Sequence, residues 1–341
     1  MRKAMYEAEV GDDYYRTDPT VNRLEARTAE ILGKEAALFV TSGTMGNLTS
    51  VLSLTSRGDS VIAEENAHLF LNEAGNLAVV GGITIRPIPG RSGAPVIEEI
   101  EKAIFPHGRV LHPPTTVLCL ENTHNLAGGA CISAGMTKTL VDVARRHKLK
   151  VHIDGARIFN AAVALGVTAR ELAEPADTIT FCLSKGLGCP AGSLVAGPSD
   201  VIEKARHWRQ MLGGGLRQAG VLAAAGLYAL EHMVARLAED HRNAAILGRK
   251  LSEAGLPVDA SSIQTNMVYL PLPTSADPAR FMKGLVEQGI IVNPPRAGRV
   301  RFVTHCDVST TEIERAVPQI VKAFKDAMSS SPIAPSPMPV S

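Results

Sequence analysis

Lys150-Val151-His152-Ile153-Asp154-Gly155-Ala156-Arg157 is a short apolar run that ends in an acid and a small-residue turn. Thr178-Ile179-Thr180-Phe181-Cys182-Leu183-Ser184-Lys185-Gly186 repeats the form, with a lysine where the acid stood. Near-continuous apolar runs of this length are the signature of strands buried on both faces. Working outward, similar runs fall at 37–40, 60–63, 83–88, 116–120 and 193–196. Between them lie helical patterns, Val96, Ile97, Ile100 and Ile104 in one and Leu140, Val143, Ala144 and His147 in another. Repeated strand–helix–strand units predict an α/β domain whose mostly parallel sheet is flanked by helices.

After residue 197 the pattern changes. A helical stretch runs from Ser199 to about Leu212, breaks at Gly213-Gly214-Gly215 and resumes to about Leu247. Strands are expected at 266–270, 290–292 and 300–304, and helices at 278–288 and from Thr310 to about Ala327. The resulting division is a large α/β domain with its N-terminal segment over 1–230, a smaller C-terminal α+β domain over 231–328, and a tail at 329–341. That tail is Ser/Pro-rich with little to bury, so disorder is expected there.

The 341 residues suit two domains, and 45% apolar with 20% charged residues is an ordinary globular balance. With 35 Lys+Arg against 34 Asp+Glu, the net charge of +1 leaves no surplus of cations for nucleic acid or acidic lipid. The charge-free helical run at 219–230 spans only about 18 Å, short of a hydrocarbon core of roughly 30 Å. Met1-Arg2-Lys3-Ala4-Met5 lacks the apolar stretch of a signal peptide. Five scattered cysteines (119, 131, 182, 189 and 306) read as reduced thiols. The expectation is a cytoplasmic protein without a nucleic-acid or membrane partner.

Several signatures are missing: G-x-G-x-x-G after the first strand, G-x-x-x-x-G-K-[ST], H-E-x-x-H and C-x-x-C. No metal-ligand set is expected. What remains is polar residues just after strands, and carboxyl ends of strands in an open α/β sheet are where ligands bind. Thr41-Ser42-Gly43-Thr44-Met45-Gly46-Asn47 is a small-residue turn opening a helix; its N–H groups suit a phosphate or an ordinary N-cap. Asp154 either caps a turn or faces a cationic ring nitrogen. Lys185 ends an apolar strand, a place where lysine is rarely found without a task, and a desolvated amine there is a Schiff-base nucleophile. A phosphate cradle, an acid and an amine on successive strand ends are the groups that pyridoxal phosphate (PLP) requires.

Further blocks make the pattern specific. They are Gly11-Asp12-Asp13-Tyr14-Tyr15 with Asp18-Pro19-Thr20, Glu121-Asn122-Thr123-His124-Asn125, Gly213-Gly214-Gly215-Leu216-Arg217-Gln218-Ala219-Gly220 and Val300-Arg301-Phe302-Val303-Thr304-His305. With them, from Met5 to about Lys325, the chain resembles the low-specificity L-threonine aldolases, fold-type I PLP-dependent enzymes. The resemblance implies that Lys185 carries the cofactor, that Asp154 partners its ring nitrogen, and that Gly43, Thr44 and Arg217 hold its phosphate. It also implies that His68 stacks on the ring, that His124 lies near the substrate hydroxyl, and that Arg157 and Arg301 grip the substrate carboxylate. Tyr15 and Arg217 match residues that reach a neighbouring subunit's site, which implies a homodimer or homotetramer.

The implied reaction is retro-aldol cleavage of L-threonine or L-allo-threonine, β-hydroxy amino acids, to glycine and acetaldehyde, with His68, His124 or an ordered water as base. Two alternatives stand beside it: another fold-type I PLP enzyme (an aminotransferase or β-lyase), or an inactive PLP-binding scaffold. Two departures bear on them. Family members carry, ahead of the segment matching residues 1–5, a D-x-R-S-D-T type strand whose serine helps bind the substrate carboxylate, and it is absent from this sequence. The expectation is retained PLP binding with weaker substrate binding and lower activity. Asn72, four residues after His68, stands where an aromatic is common, which puts side-chain specificity in question.

Overall fold

The computed structural model describes residues 1–329. Along the chain come α1 (Arg2–Tyr6), α2 (Pro19–Leu32), β1 (Ala36–Val40), α3 (Gly43–Leu54), β2 (Ser60–Glu64), α4 (His68–Leu71) and β3 (Thr84–Ile88). A small hairpin of β4 (Gly90–Arg91) and β5 (Ala94–Pro95) leads to α5 (Ile97–Ala103), β6 (Thr115–Glu121), α6 (Ala134–Arg146) and β7 (Lys150–Asp154). Then follow α7 (Ile158–Leu165), α8 (Ala169–Ala173), β8 (Thr178–Cys182), β9 (Ser193–Gly197), α9 (Ser199–Met211) and α10 (Gly220–His232). These elements make up the first of two compact units, Met1–Ala238; the second begins at Glu239.

Seven strands form one sheet in the order β1-β9-β8-β7-β6-β2-β3. Only β9 runs against its neighbours, so the other six strands point the same way. Side chains alternate between faces with the strand period of two. Ala37, Phe39, Ile62, Leu118 and Leu120 join α2, α6 and α7 in one core. Val61, Ala63, Val117 and Cys119 pack with α3 on the other face, and Leu38 and Val40 pack there with α9. Each fully buried large side chain, such as Phe39 or Phe181, contributes about 1.5–3 kcal/mol. With both faces covered, the exits open to a ligand are the strand ends: Val40, Glu64, Glu121, Asp154 and Cys182 all terminate at the same edge.

Asp18 ties the N-terminal segment to this body. Its buried carboxylate caps α2 through the Thr20 and Val21 N–H groups at 3.0 Å, with Pro19 opening the helix. The other oxygen accepts from Gly11 N–H at 3.1 Å and Gly220 N–H at 2.9 Å.

The second unit holds most of α11 (Leu237–Glu253), then β10 (Met267–Pro271), α12 (Pro278–Glu287), β11 (Arg299–Val303) and α13 (Thr310–Met328), with β10 and β11 antiparallel. Two expectations are corrected. The helical stretch expected to end near Leu247 is interrupted after His232 and continues to Glu253. The run 290–292 is not a strand: Ile290, Ile291 and Val292 line a cavity of about 370 Å³ with Phe302, Ile313 and Ile320. Ile290 and Val292 pack against the core of this unit without joining a ladder, while Ile291 stays exposed. The expectation for the tail falls, from residue 330 on, outside the described residues. Among the described residues no single helix is long and apolar enough to cross a membrane.

Candidate active site

The helix α3 begins one turn beyond β1. Ser42 caps it, accepting the Met45 N–H at 3.2 Å. First-turn N–H groups have no intrahelical acceptor, so those of Gly43 and Thr44 remain for a ligand, at the positive end of the helix dipole. The approach is close: a methyl group on Gly43 would lie 2.6 Å from Cys182 Sγ, where β8 ends. The expected cradle is therefore built directly beside the strand that leads to Lys185.

One turn further, Asn47 reaches the end of β7. Its Nδ2 lies 2.8 Å from Asp154 Oδ2 and 2.8 Å from Glu73 Oε1. Carboxylates only accept, so the amide nitrogen must face them, and Oδ1 must face His152 Nε2 at 3.1 Å. His152 Nε2 thus carries the hydrogen, while Nδ1 accepts from the Thr178 hydroxyl at 2.9 Å. Burial pushes the His152 imidazole down to about 4 against the opposing pull of Asp154, so it is neutral at physiological pH. The remaining oxygen of Asp154 accepts the Ala156 N–H at 3.0 Å.

His68 opens α4 with its N–H held by Glu121 Oε2 at 2.6 Å. Its Nδ1 meets Glu73 Oε1 at 2.9 Å, and among the described residues Nε2 has no hydrogen-bond partner. The Glu73 hydrogen bond, opposed by burial and assisted by the charge of Asp154, raises the His68 pKa from its ordinary value. His124 is placed differently. It is 1% exposed, with Nδ1 accepting the Ala127 N–H at 3.2 Å and Nε2 3.0 Å from Glu64. Both of its nitrogens are engaged. Glu121 also accepts the Asn125 N–H at 2.8 Å, so one carboxylate fastens both histidine loops.

Lys185 is half-buried three residues beyond β8; its carbonyl accepts the Gly188 N–H at 2.9 Å, and among the described residues its amine has no ion-pair or hydrogen-bond partner. Arg157 sits half-buried at the start of α7, immediately after Ala156, whose N–H is held by Asp154. Arg301 lies in the second unit, on β11 opposite Tyr269. Arg217 and Tyr15 come together on the surface. The guanidinium pairs with Asp12 at 2.8 Å and lies 4.6 Å from the Tyr14 ring and 5.8 Å from that of Tyr15, which is 67% exposed.

Sequence reasoning singles out Gly43, Thr44, Asp154, Lys185 and His68, and the sheet brings their elements to one edge. It missed roles for Asn47, Glu73 and Glu121. The signal available for Asn47 was its spacing, four residues after Gly43 and hence on the same helix face. An amine, a carboxylate and a helix N-terminus at one sheet edge fit a flat phosphorylated aldehyde, PLP.

Comparison with known proteins agrees with this chemistry. A family described as beta-eliminating lyase matches residues 1–272. Low-specificity L-threonine aldolase 1 of Arabidopsis thaliana is 42% identical over 334 residues, 96% of this chain and 92% of that protein. The low specificity L-threonine aldolase of Escherichia coli (strain K12) is 43% identical over 316 residues, 92% of both chains. A solved threonine aldolase from Leishmania major superposes with a TM-score of 0.77 at 19% identity, over 96% of this chain and 94% of that one, a likeness of fold. The architecture is fold-type I. On this identity and coverage, the chain belongs to the low-specificity L-threonine aldolases within the beta-eliminating lyases.

Proposed function

We propose that the strand-end site binds PLP and that the enzyme splits L-threonine and L-allo-threonine into glycine and acetaldehyde. The observation that carries this reading is Lys185, an unpartnered, half-buried amine on the same sheet edge as Asp154 and the open first turn of α3. When bound, PLP supplies an electron sink for the pair released on Cα as the Cα–Cβ bond breaks.

The chain's own residues do the rest. The N–H groups of Gly43 and Thr44 would hold the phosphate, Lys185 would be the amine for the aldehyde, and Asp154 would serve the ring nitrogen as a charge-assisted acceptor. Arg157 takes the substrate carboxylate through its planar fork, which fixes how the Cα substituents point. Cleavage needs the β-hydroxyl to lose a proton and Cα to gain one. We assign the first transfer to His68 Nε2. Glu73 holds the Nδ1–H of that ring, which leaves the Nε2 lone pair free and more basic. His124, enclosed and with both nitrogens engaged, orients Glu64 and the loop after β6.

Two coarser assignments accompany this one. The exposed Arg217–Tyr14–Tyr15 patch supports a homodimer or homotetramer in which Arg217 and Tyr15 complete a neighbour's site. Five cysteines scattered through the chain are read as thiols of a reducing cytoplasm.

Product analysis tests the reaction. The PLP-loaded protein given L-threonine is expected to release acetaldehyde and glycine in equal amounts. A keto acid or ammonia in their place would favour an aminotransferase or β-lyase and overturn the reading.

A further inference from the structure

Asn47 has no part in the chemistry above, yet it touches three buried titratable side chains: Asp154, Glu73 and His152. A cation is one occupant to consider for such a cluster, because His68, Glu73 and Asp154 offer ligand atoms within 4.8 Å of one another. The Asn47 amide argues against it. Its two N–H bonds already donate to Glu73 and Asp154, two of the three candidate ligands, and would set their positive ends against a cation held there.

The arrangement instead answers a different problem. Two acids brought this close repel unless something donates to both, and one amide nitrogen has two protons to give. Flipping the amide would set Oδ1 against both carboxylates and N–H₂ against the N–H of His152. The carboxylates only accept, which excludes that flip; His152 Nε2–H then donates to Oδ1, and Nδ1 accepts the Thr178 hydroxyl, which completes the order. The chain Thr178–His152–Asn47 therefore has one consistent set of donors and acceptors, and it ends on Asp154 Oδ2.

We propose that Asn47 is a positioning residue for Asp154, holding its carboxylate in the orientation that meets the ring nitrogen of PLP, with His152 and Thr178 fixing the amide. The inference rests on the assignment of Asp154 given above. It predicts that cofactor affinity depends on Asn47 only while Asp154 is present.

Apoprotein is titrated with PLP, following cofactor absorbance, for the wild type, Asn47→Leu, Asp154→Ala and the double variant. Asn47→Leu is expected to bind PLP roughly tenfold to a hundredfold more weakly, the worth of a hydrogen bond to a charged group. The double variant is expected to bind no more weakly than Asp154→Ala alone. Unchanged affinity in Asn47→Leu, or losses that multiply in the double variant, would overturn the proposal and leave Asp154 in its role. Wild-type affinity in Asp154→Ala would overturn the Asp154 assignment and this proposal with it. If Asn47→Leu does not fold, Thr178→Val carries the test. Removing that hydroxyl is expected to weaken PLP binding about threefold to tenfold, and to have no effect in the Asp154→Ala background. Undiminished affinity in Thr178→Val would then overturn the proposal.

Discussion

Asp154 accepts the Ala156 N–H on one oxygen and the Asn47 amide on the other, so it leaves β7 in a fixed orientation. Asp154→Asn preserves the shape and removes the charge. The expected outcome is a folded protein with kcat lowered roughly tenfold to a hundredfold, matching about 1.5–3 kcal/mol for a charge-assisted partner. Steady-state cleavage of L-threonine checks it, and near-normal turnover would contradict the electron-sink role. His152, fully buried, gives a pH signature in the apoprotein. The unfolded chain takes up its proton near pH 6.5 and the folded chain only near 4. Between these values the unfolded state binds more protons, so stability falls as pH drops. At about 1.4 kcal/mol per pH unit, the loss approaches ~3 kcal/mol by pH 4. Urea unfolding at pH 7 and pH 5 should show a shallower fall in His152→Gln than in wild type; equal slopes would contradict the assignment. Lys185 and Asp154 were legible because a charge ending an apolar strand has few packing explanations. Asn47 and Glu73 were not, because their roles exist only once α3, the loop after α4 and β7 converge.

At the level of elements, the strands were readable from apolar runs and the parallel arrangement from the helices between them. The side of α3 that matters is set by glycine. A methyl on Gly46 would lie 2.4 Å from Thr180 Cγ2, so α3 lies flush against β8 only because that position is bare. Gly46→Ala gains about 1 kcal/mol of helix propensity but meets an overpacking cost of about 1–3 kcal/mol. The helix must lift from the sheet and carry the Gly43 and Thr44 N–H groups with it. The expected outcome is weaker PLP binding and a lower thermal midpoint, and adding Thr180→Ser, which deletes the clashing methyl, should restore part of both. No recovery in the double variant would show that the loss has another origin. The segment 290–292 escaped correct reading for a physical reason: three apolar residues between Gly289 and Pro294 are equally suited to a strand and to a cavity wall.

For the whole molecule, composition and charge argued against a nucleic-acid or membrane partner but said nothing of assembly, and the exposed Arg217–Tyr14–Tyr15 patch is where assembly should show. If Arg217 serves a neighbour's phosphate, mixing inactive Lys185→Ala with inactive Arg217→Ala subunits should restore part of the activity. Persistent inactivity of oligomers shown to be mixed would contradict shared sites. All of this depends on one claim, that the strand ends form a PLP site with Lys185 as its covalent anchor. Borohydride reduction of the PLP-loaded protein, digestion and peptide mass analysis test it most directly. The account predicts a pyridoxyl adduct on the peptide carrying Lys185, with loss of the cofactor's absorption band and none formed in Lys185→Ala. An adduct on another lysine, or an undiminished band in Lys185→Ala, would contradict it.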